Sequence, residues 1–265
     1  MAIVNNNDWE RVQPKLNIEY GAALSKGLIP NWSPVVKFGE NLDIDSGVEE
    51  TIWSQGGLWQ PITTAYQLNI VSTSTADVNT TGTGAWLVYI FGLDSDYNPI
   101  EEIVNLNGTV TVTSTLSYLY INRVAVGYSG SGRKNAGTIS LTQQTSGLKL
   151  AEIPIGKSIT QKTPYTVPAG YTAYLSGVLI NVVKEAGGQS PLVEFRFLSY
   201  SPVSKTTYEV ANVFINCANS NSLQIDQPFA LPTEEKHTFF INAISDQNNV
   251  RVFCRYYMSL IKNRV

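Results

Sequence analysis

The sequence contains few of the side chains on which most enzyme centres depend. It has one histidine, His237, and two cysteines, Cys217 and Cys254, among 265 residues. A histidine-based triad is therefore barely constructible, and a zinc site would have too few soft ligands. Two cysteines are also too few for a disulfide framework, which leaves either two buried thiols or a single bridge. We therefore expect a non-enzymatic protein with no cofactor and no metal.

Charge is also scarce. Lysine and arginine number 18 and aspartate and glutamate 21, so 15% of the residues are charged and the net charge is -3. No basic field suited to a nucleic acid is visible. No apolar run approaches the roughly 18 residues of a membrane span, and the segment Met1–Asn7 lacks the pattern of a secretory signal. We expect no nucleic-acid partner, no membrane contact and synthesis in a cytoplasm-like compartment.

Threonine, serine, asparagine and glycine are abundant, and this composition is typical of strands and tight turns. The clearest stretch runs from Gly84 to Val126, where three runs of β-branched and aromatic residues predict a β-meander. Its turns are expected at Asp94–Pro99 and at Asn107–Gly108, the latter a strong hairpin signal. Apolar residues at both parities between Trp86 and Leu93 predict a strand that is covered on both faces.

The predicted fold class is all-β, with two antiparallel β-sandwich domains of jelly-roll or immunoglobulin-like type behind an extended N-terminal arm. Residues 1–44 form the arm, residues 45–146 the first sandwich, and residues 147–265 a linker and the second sandwich. Apolar and charged residues alternate between Val193 and Arg196, and this pattern predicts a strand with its phenylalanine rings on one buried face.

The arm is apolar but interrupted by prolines and glycines. Ordering it costs about 1 to 2 kcal/mol per residue in backbone entropy, and full burial of its apolar side chains returns roughly 1.5 to 3 kcal/mol each. These sums nearly cancel, so the arm needs a partner surface, either its own chain or, as we expect, a neighbouring subunit. The residues expected at that interface are Trp9, Val12, Ile18, Tyr20, Trp32 and Phe38.

One motif has the spacing of a metal loop. Asp94, Asp96 and Asn98 are spaced like the start of a calcium-binding loop, but Pro99 stands where a glycine is needed and Asn105 where a bidentate glutamate is needed. A hairpin turn closed by the Asp94 side chain accounts for the same residues.

Tyrosines offer a second kind of site. Tyr128, Tyr256 and Tyr257 could form a face on which sugar rings stack, although aromatic residues more often fill cores or subunit contacts.

Several turn and strand motifs, taken in order, resemble a family of virion-associated proteins of tailed phages, notably marine ones. They are Val36–Gly39, Asp43–Gly47, Glu50–Trp53, Gly56–Gly57, Gly92–Asn98, Leu106–Thr109, Ser117–Arg123, Asn135–Ile139, Tyr165–Leu175 and Phe195–Arg196.

The resemblance implies a structural part of the particle, with no enzymatic residues to carry over. The expected partners are other copies of the chain and other virion proteins of the capsid, portal or tail. The expected location is the virion, assembled in the host cytoplasm, as a capsid decoration or as part of the neck or tail. The alternative is a carbohydrate- or receptor-binding module of a phage fibre, with a host surface glycan as its ligand.

Overall fold

The structure is a computed structural model that describes residues 20–183, 190–218 and 221–263. Within these residues the chain is almost entirely antiparallel β-structure, with one short helix, α1 (Tyr20–Ser25). The all-β prediction is therefore confirmed. The strands form four sheets around two separate hydrophobic cores, which divide the described chain into a central and a terminal lobe.

The central lobe is contiguous in sequence and contains β3 to β9. Its strands are β3 (Leu68–Ser72), β4 (Ala85–Leu93), β5 (Pro99–Asn105), β6 (Val112–Thr113), β7 (Tyr120–Ser129), β8 (Ile139–Gln143) and β9 (Lys149–Ile153). Sheet I has the order β6-β3-β8-β9, and sheet II has the order β5-β4-β7. Both sheets contribute to one core, in which Ile70, Ile90 and Ile139 are fully buried.

The terminal lobe combines strands from both ends of the described chain. Its strands are β1 (Trp32–Ile44), β2 (Glu49–Thr51), β10 (Tyr165–Thr166), β11 (Tyr171–Val183), β12 (Leu192–Ser201), β13 (Thr206–Asn216), β14 (Ser222–Thr233), β15 (Thr238–Ser245) and β16 (Val250–Lys262). Sheet III has the order β1-β16-β11-β14, and sheet IV has the order β10-β15-β12-β13, with β2 also paired to β15. The core takes Ile180 and Val252 from sheet III and Phe195 and Ile241 from sheet IV.

The strand β1 differs from the expected arm. Residues 32–44 pair with β16 from Trp32↔Ile261 to Ile44↔Val250, and Ile44 is fully buried in the terminal core. Residues 20–31 also lie close to β1, because Ala23 and Leu24 of α1 and Ile29 pack with Trp32. The described part of the expected arm therefore belongs to the terminal lobe. Alternation along the strand was too weak to indicate a partner more than 200 residues away.

The stretch 84–126 is not a meander. In sheet II, β4 lies between β5 and β7, so the chain crosses from one side of β4 to the other. The expected turn at Asn107–Gly108 is present, with Asn107 bridged to Val110, but it does not join two paired strands, because β6 leaves sheet II and pairs with β3 of sheet I. This crossover is held by backbone bonds, in which Gly108 donates to the Asp77 carbonyl and accepts from the Ser72 amide.

The first strand of this stretch is open on one face. Phe91 of β4 is 38% exposed, although Val88 and Ile90 are fully buried. The prediction that both faces are covered is therefore wrong at this position.

A small aromatic cluster joins the lobes. Trp59 stacks on Tyr120 of β7 with 6.1 Å between ring centroids, and it meets Tyr200 of β12 and Phe240 of β15 at 5.7 and 4.9 Å. These rings are all buried. Aromatic pairs of this kind stabilise contacts by roughly 0.5–1.5 kcal/mol beyond their area burial, so the lobes are joined by a packed contact.

Candidate functional site

The outer edge of sheet IV is formed by a long strand, β13. Strand β13 pairs with β12 on one side, and no described strand pairs with its other side. An open edge presents unpaired backbone donors and acceptors to another chain, and proteins usually protect such edges.

The two halves of β13 are protected differently. A register shift makes Val210 a bulged residue, since Phe197 opposes Ala211 while Leu198 opposes Glu209. Bulges and charged side chains are the usual means of preventing edge-to-edge pairing. From Ala211 to Asn216 the strand is regular and has no charge and no proline. The second half is therefore open to pairing.

Exposed apolar side chains lie at this open half. Phe214 is 58% exposed and Leu192, on the neighbouring strand β12, is 41% exposed, whereas Ile215 points to the core and is buried. Because Leu192 opposes Asn216 and Glu194 opposes Phe214, the two apolar residues are diagonal neighbours on the outer face of sheet IV. We call residues 211–216 together with Leu192 the edge patch.

Two other strand edges, those of β1 and β5, are covered or charged. The β1 edge is contacted by the central lobe, because the Arg123 guanidinium donates to the Val36 carbonyl at 2.5 Å and the Lys37 ammonium donates to the Asn122 carbonyl. Strand β5 begins at Pro99 and carries Glu101 and Glu102. These features are among those by which natural sheets avoid pairing.

A cleft of about 650 Å³ lies where β1 meets sheet II of the central lobe. Its walls are largely apolar, with Val36 and Phe91 both more than a third exposed. The residues that line it are Pro34, Val35, Val36, Lys37, Phe91, Gly92, Leu93, Pro99, Ile100, Glu101, Asn122, Arg123, Tyr165, Pro168 and Leu260.

Two basic side chains, Lys37 and Arg123, line this interlobe cleft. Lys37 is 5% exposed, and desolvation by burial, together with the charges of Lys162 and Arg123, holds the pKa of Lys37 well below its usual range. Burial lowers the pKa of Lys162 to about 7. Among the described residues no carboxylate lies within ion-pair distance of these three groups, and Lys162 donates instead to the carbonyls of Ile121 and Leu150, each at 3.0 Å.

A smaller cavity of about 250 Å³ lies beside the aromatic cluster and is lined in part by Trp53, Trp59 and Lys162. The Trp53 indole already donates to the carbonyls of Gly56 and Gly57 at 2.8 and 2.9 Å, and both tryptophans are buried. The indole groups therefore contribute mainly to the structure of the loop.

The predicted sugar-binding face is not formed as expected. Tyr256 is fully buried in the terminal core, where its hydroxyl donates to the Thr163 carbonyl at 2.5 Å, so its assignment to an exposed face is wrong. Tyr257 of β16 and Tyr128 of β7 are 40% and 62% exposed, but they lie on sheets of different lobes. Burial raises the pKa of Tyr256 well above its usual value.

The expected interface residues are only partly within the described chain. Trp9, Val12 and Ile18 lie outside the described residues, and Tyr20 begins α1. Trp32 and Phe38 are half-buried on β1, where they oppose Ile261 and Arg255 of β16. Within the described chain, Trp32 and Phe38 lie six positions apart on β1.

Sequence reasoning missed the edge patch, although a signal was present. Apolar residues occupy both parities of β13 at Val213, Phe214 and Ile215, and a strand with one solvated face would carry a polar residue at position 214. It also missed the two basic side chains that line the cleft, because Lys37 and Arg123 are 86 residues apart in sequence and nothing local indicates that they meet.

The Asp94 turn has the predicted form. The Asp94 carboxylate accepts from the amides of Asp96 and Asn98, both at 2.9 Å, which is the side-chain-closed turn expected from the sequence. Among the described residues no group of three or more histidine, cysteine or acidic side chains is arranged to hold a metal ion. The same residues include no helix with the length and apolar content of a membrane span.

Comparison with known proteins yields little. No protein-family model and no curated protein matches the chain. The chain is similar to the infectious bursal disease virus Gt strain structure, with 11% identity over 92% of this chain and 78% of that chain and a TM-score of 0.23. The chain is also similar to the VP2 subviral particle of the same virus, with 10% identity over 89% of this chain and 78% of that chain and a TM-score of 0.20. At scores this low the likeness does not establish a shared fold and carries no argument about function.

Proposed function

We propose that this chain is a non-enzymatic structural subunit of a tailed-phage virion, made of two β-sandwich domains, and that it assembles with other copies of itself. The observation that supports the proposal is the edge patch. Monomeric proteins protect long strand edges, whereas residues 211–216 combine an unpaired edge with an exposed phenylalanine. The resemblance to virion-associated proteins gives the setting in which such an edge would be used.

Pairing at the edge patch supplies a defined but modest contact. A second strand would satisfy the outward backbone groups of β13, and burying Phe214 would contribute about 1.5–3 kcal/mol. One such contact is weak, but it adds to the other contacts of a subunit through effective concentration when copies are arranged around a symmetry axis. Assembly would therefore be favourable in a particle even though each edge contact is small.

The N-terminal residues provide a second contact in this proposal. Trp9, Val12 and Ile18 are apolar residues that we propose lie on a neighbouring copy or on a capsid, portal or tail protein. Truncating a buried interfacial tryptophan such as Trp9 commonly costs about 2 kcal/mol or more of association energy. The location in this proposal is the virion, assembled in the host cytoplasm.

The test uses particles of the phage whose genome encodes the chain. Gold-labelled antibody against the central lobe should bind gradient-purified virions at one position, on the capsid, neck or tail. Particles without label, with the protein recovered only from the soluble lysate, would contradict the virion assignment.

A pair of variants tests the edge patch within the same particles. Phe214→Lys places a charge at the open half of β13, so we expect its incorporation to fall at least tenfold. Tyr208→Lys changes another exposed aromatic residue, at the protected half, and serves as the matched control. If both variants were incorporated equally, the role of the edge patch would be contradicted, whereas the virion assignment could stand.

A further inference from the structure

The interlobe cleft combines features that fit an acidic and aromatic peptide. Its walls present the side chains of Val36, Phe91 and Ile100, and its floor carries the buried Lys37 beside Arg123. No described carboxylate forms an ion pair with either cation, and the one acidic residue of the lining, Glu101, is exposed. Neighbouring basic groups that have no counter-charge attract an acidic ligand, and this electrostatic attraction is stronger where water is excluded.

The chain itself contains one short segment of matching chemistry. Asp8, Trp9 and Glu10 place a large aromatic ring between two carboxylates within residues 1–19. An indole is suited to an apolar cleft with a polar margin, and carboxylates on either side of it would complement the two cations. A cleft of about 650 Å³ falls in the range of sites that enclose a ligand of this size.

The length of the chain limits which cleft this segment can enter. Trp9 lies eleven residues before Tyr20, where the described chain begins, so the extended chain between them spans on the order of 36 Å. A compact globule of this chain length has a diameter of roughly 45–50 Å by size scaling. The segment is thus too short to pass around its own molecule, and it reaches the cleft of an adjacent copy only where that cleft lies within this distance of Tyr20.

We propose that the interlobe cleft of one copy receives residues 8–12 of a neighbouring copy, with Trp9 against Phe91 and Ile100 and with Asp8 or Glu10 at Lys37 and Arg123. This inference rests on the proposed function, since it names the surface to which the N-terminal residues bind. The cleft and the edge patch then give each subunit two different contacts.

The experiment places a photo-reactive benzoylphenylalanine at position 9 of the full chain and uses a one-to-one mixture of ¹⁴N and ¹⁵N copies, co-assembled before irradiation. Mass spectrometry locates each cross-link and reports whether its two peptides carry the same isotope. We expect cross-links to the peptides that contain Phe91 or Ile100, with about half of them mixed in isotope. Cross-links of one isotope only would overturn the proposal in favour of the chain's own segment.

Two variants in the same mixture show whether the cleft is responsible. Phe91→Asp changes a partly exposed residue of the cleft wall, and we expect at least tenfold fewer cross-links. Ile103→Asp changes a more exposed residue on the adjacent strand β5, outside the cleft, and should leave their number unchanged. Equal loss in both variants, or no loss in either, would overturn the proposal.

The same samples separate this inference from the proposed function. Sedimentation before irradiation reports whether the copies assemble at all. Assembled copies whose position 9 cross-links to a neighbour outside the cleft would leave the structural role standing and remove the cleft as its receptor. Copies that remain monomeric, with no cross-link between isotopes, would contradict both.

Discussion

The two lobes have the same class of fold, but they are built from the chain in opposite ways. The central lobe uses one uninterrupted segment, residues 68–153, whereas the terminal lobe joins β1 and β2 to strands that begin more than 100 residues later. Its first strand pairs with its last, β16. The central lobe can therefore close early with short loops, whereas the terminal lobe depends on a contact between distant parts of the chain.

Alanine substitutions at two matched glycines, one in each lobe, should have the largest effects on stability and should show which lobe each change weakens. A Cβ at Gly39 would lie 2.4 Å from the Ile52 carbonyl oxygen in the terminal lobe, and a Cβ at Gly92 would lie 2.4 Å from the Tyr120 carbonyl oxygen in the central lobe. Because backbone cannot yield cheaply, we expect each alanine variant to lose about 3 kcal/mol. Hydrogen exchange should show the loss first in the lobe that carries the change.

Gly57→Ala is the control for this comparison. Its φ is +72° and no atom lies within 4 Å of the added Cβ, so we expect a loss of about 1 kcal/mol from backbone conformation alone. Equal losses in all three variants would contradict the packing assigned to Gly39 and Gly92.

Asp77→Ala should weaken the central lobe by a comparable amount. This carboxylate is fully buried and accepts four hydrogen bonds, from the amides of Ala85, Ala136 and Gly137 and from the Ser72 hydroxyl, at 2.6–2.8 Å. Its removal leaves buried donors without a partner, at a cost of about 3 kcal/mol. Urea unfolding measures the loss, and exchange in β15 of the terminal lobe should change less than exchange in β4.

The pH dependence of stability tests the role of Lys162 at the contact between the lobes. Its pKa is about 7 in the folded chain and near 10.4 in the unfolded chain, so between these values the unfolded state binds more protons. Stability should therefore rise from pH 7 to pH 8, by at most about 1.4 kcal/mol for this group. Above pH 8.5 the buried Cys254, whose pKa is raised, opposes the trend.

Lys162→Met provides the comparison for that measurement. The variant should be more stable than the parent at pH 7 and should show a flatter rise in melting temperature between pH 7 and pH 8. A rise that is the same in both proteins would show that Lys162 is charged in the fold. The remaining slope in the variant includes the contribution of Lys37, whose pKa is also lowered by burial.

Tyr256→Phe should have the smallest effect. The change removes one hydroxyl that donates to the Thr163 carbonyl and keeps the packed ring, so we expect a loss of about 1 kcal/mol confined to the terminal lobe. Thermal unfolding measures it. A variant as stable as the parent would mean that water replaces the bond in the core.

Local sequence patterns predicted the parts of the fold that depend on neighbours in sequence. Alternation at Val193, Phe195 and Phe197 indicated the buried face of β12, and the Asp94 turn followed from side-chain chemistry. The same alternation in β16 buries Cys254, Tyr256 and Met258, so the burial of Tyr256 could have been predicted. It was overlooked because tyrosine suits either face.

Long-range pairing could not be predicted in the same way. The register of β1 with β16 and of β2 with β15 joins residues about 200 positions apart, and no local signal encodes it. The edge patch and the interlobe cleft both depend on such pairings, since an edge exists only after the order of strands is known. The candidate sites were therefore less predictable than the fold class.

Amide hydrogen exchange of β13 in the assembled particle and in the isolated chain tests the central claim most directly. We predict that the outward amides of residues 211–216 exchange at least tenfold more slowly in the particle, while the protected half, residues 206–209, changes little. Equal exchange of residues 211–216 in both states would contradict assembly through this edge.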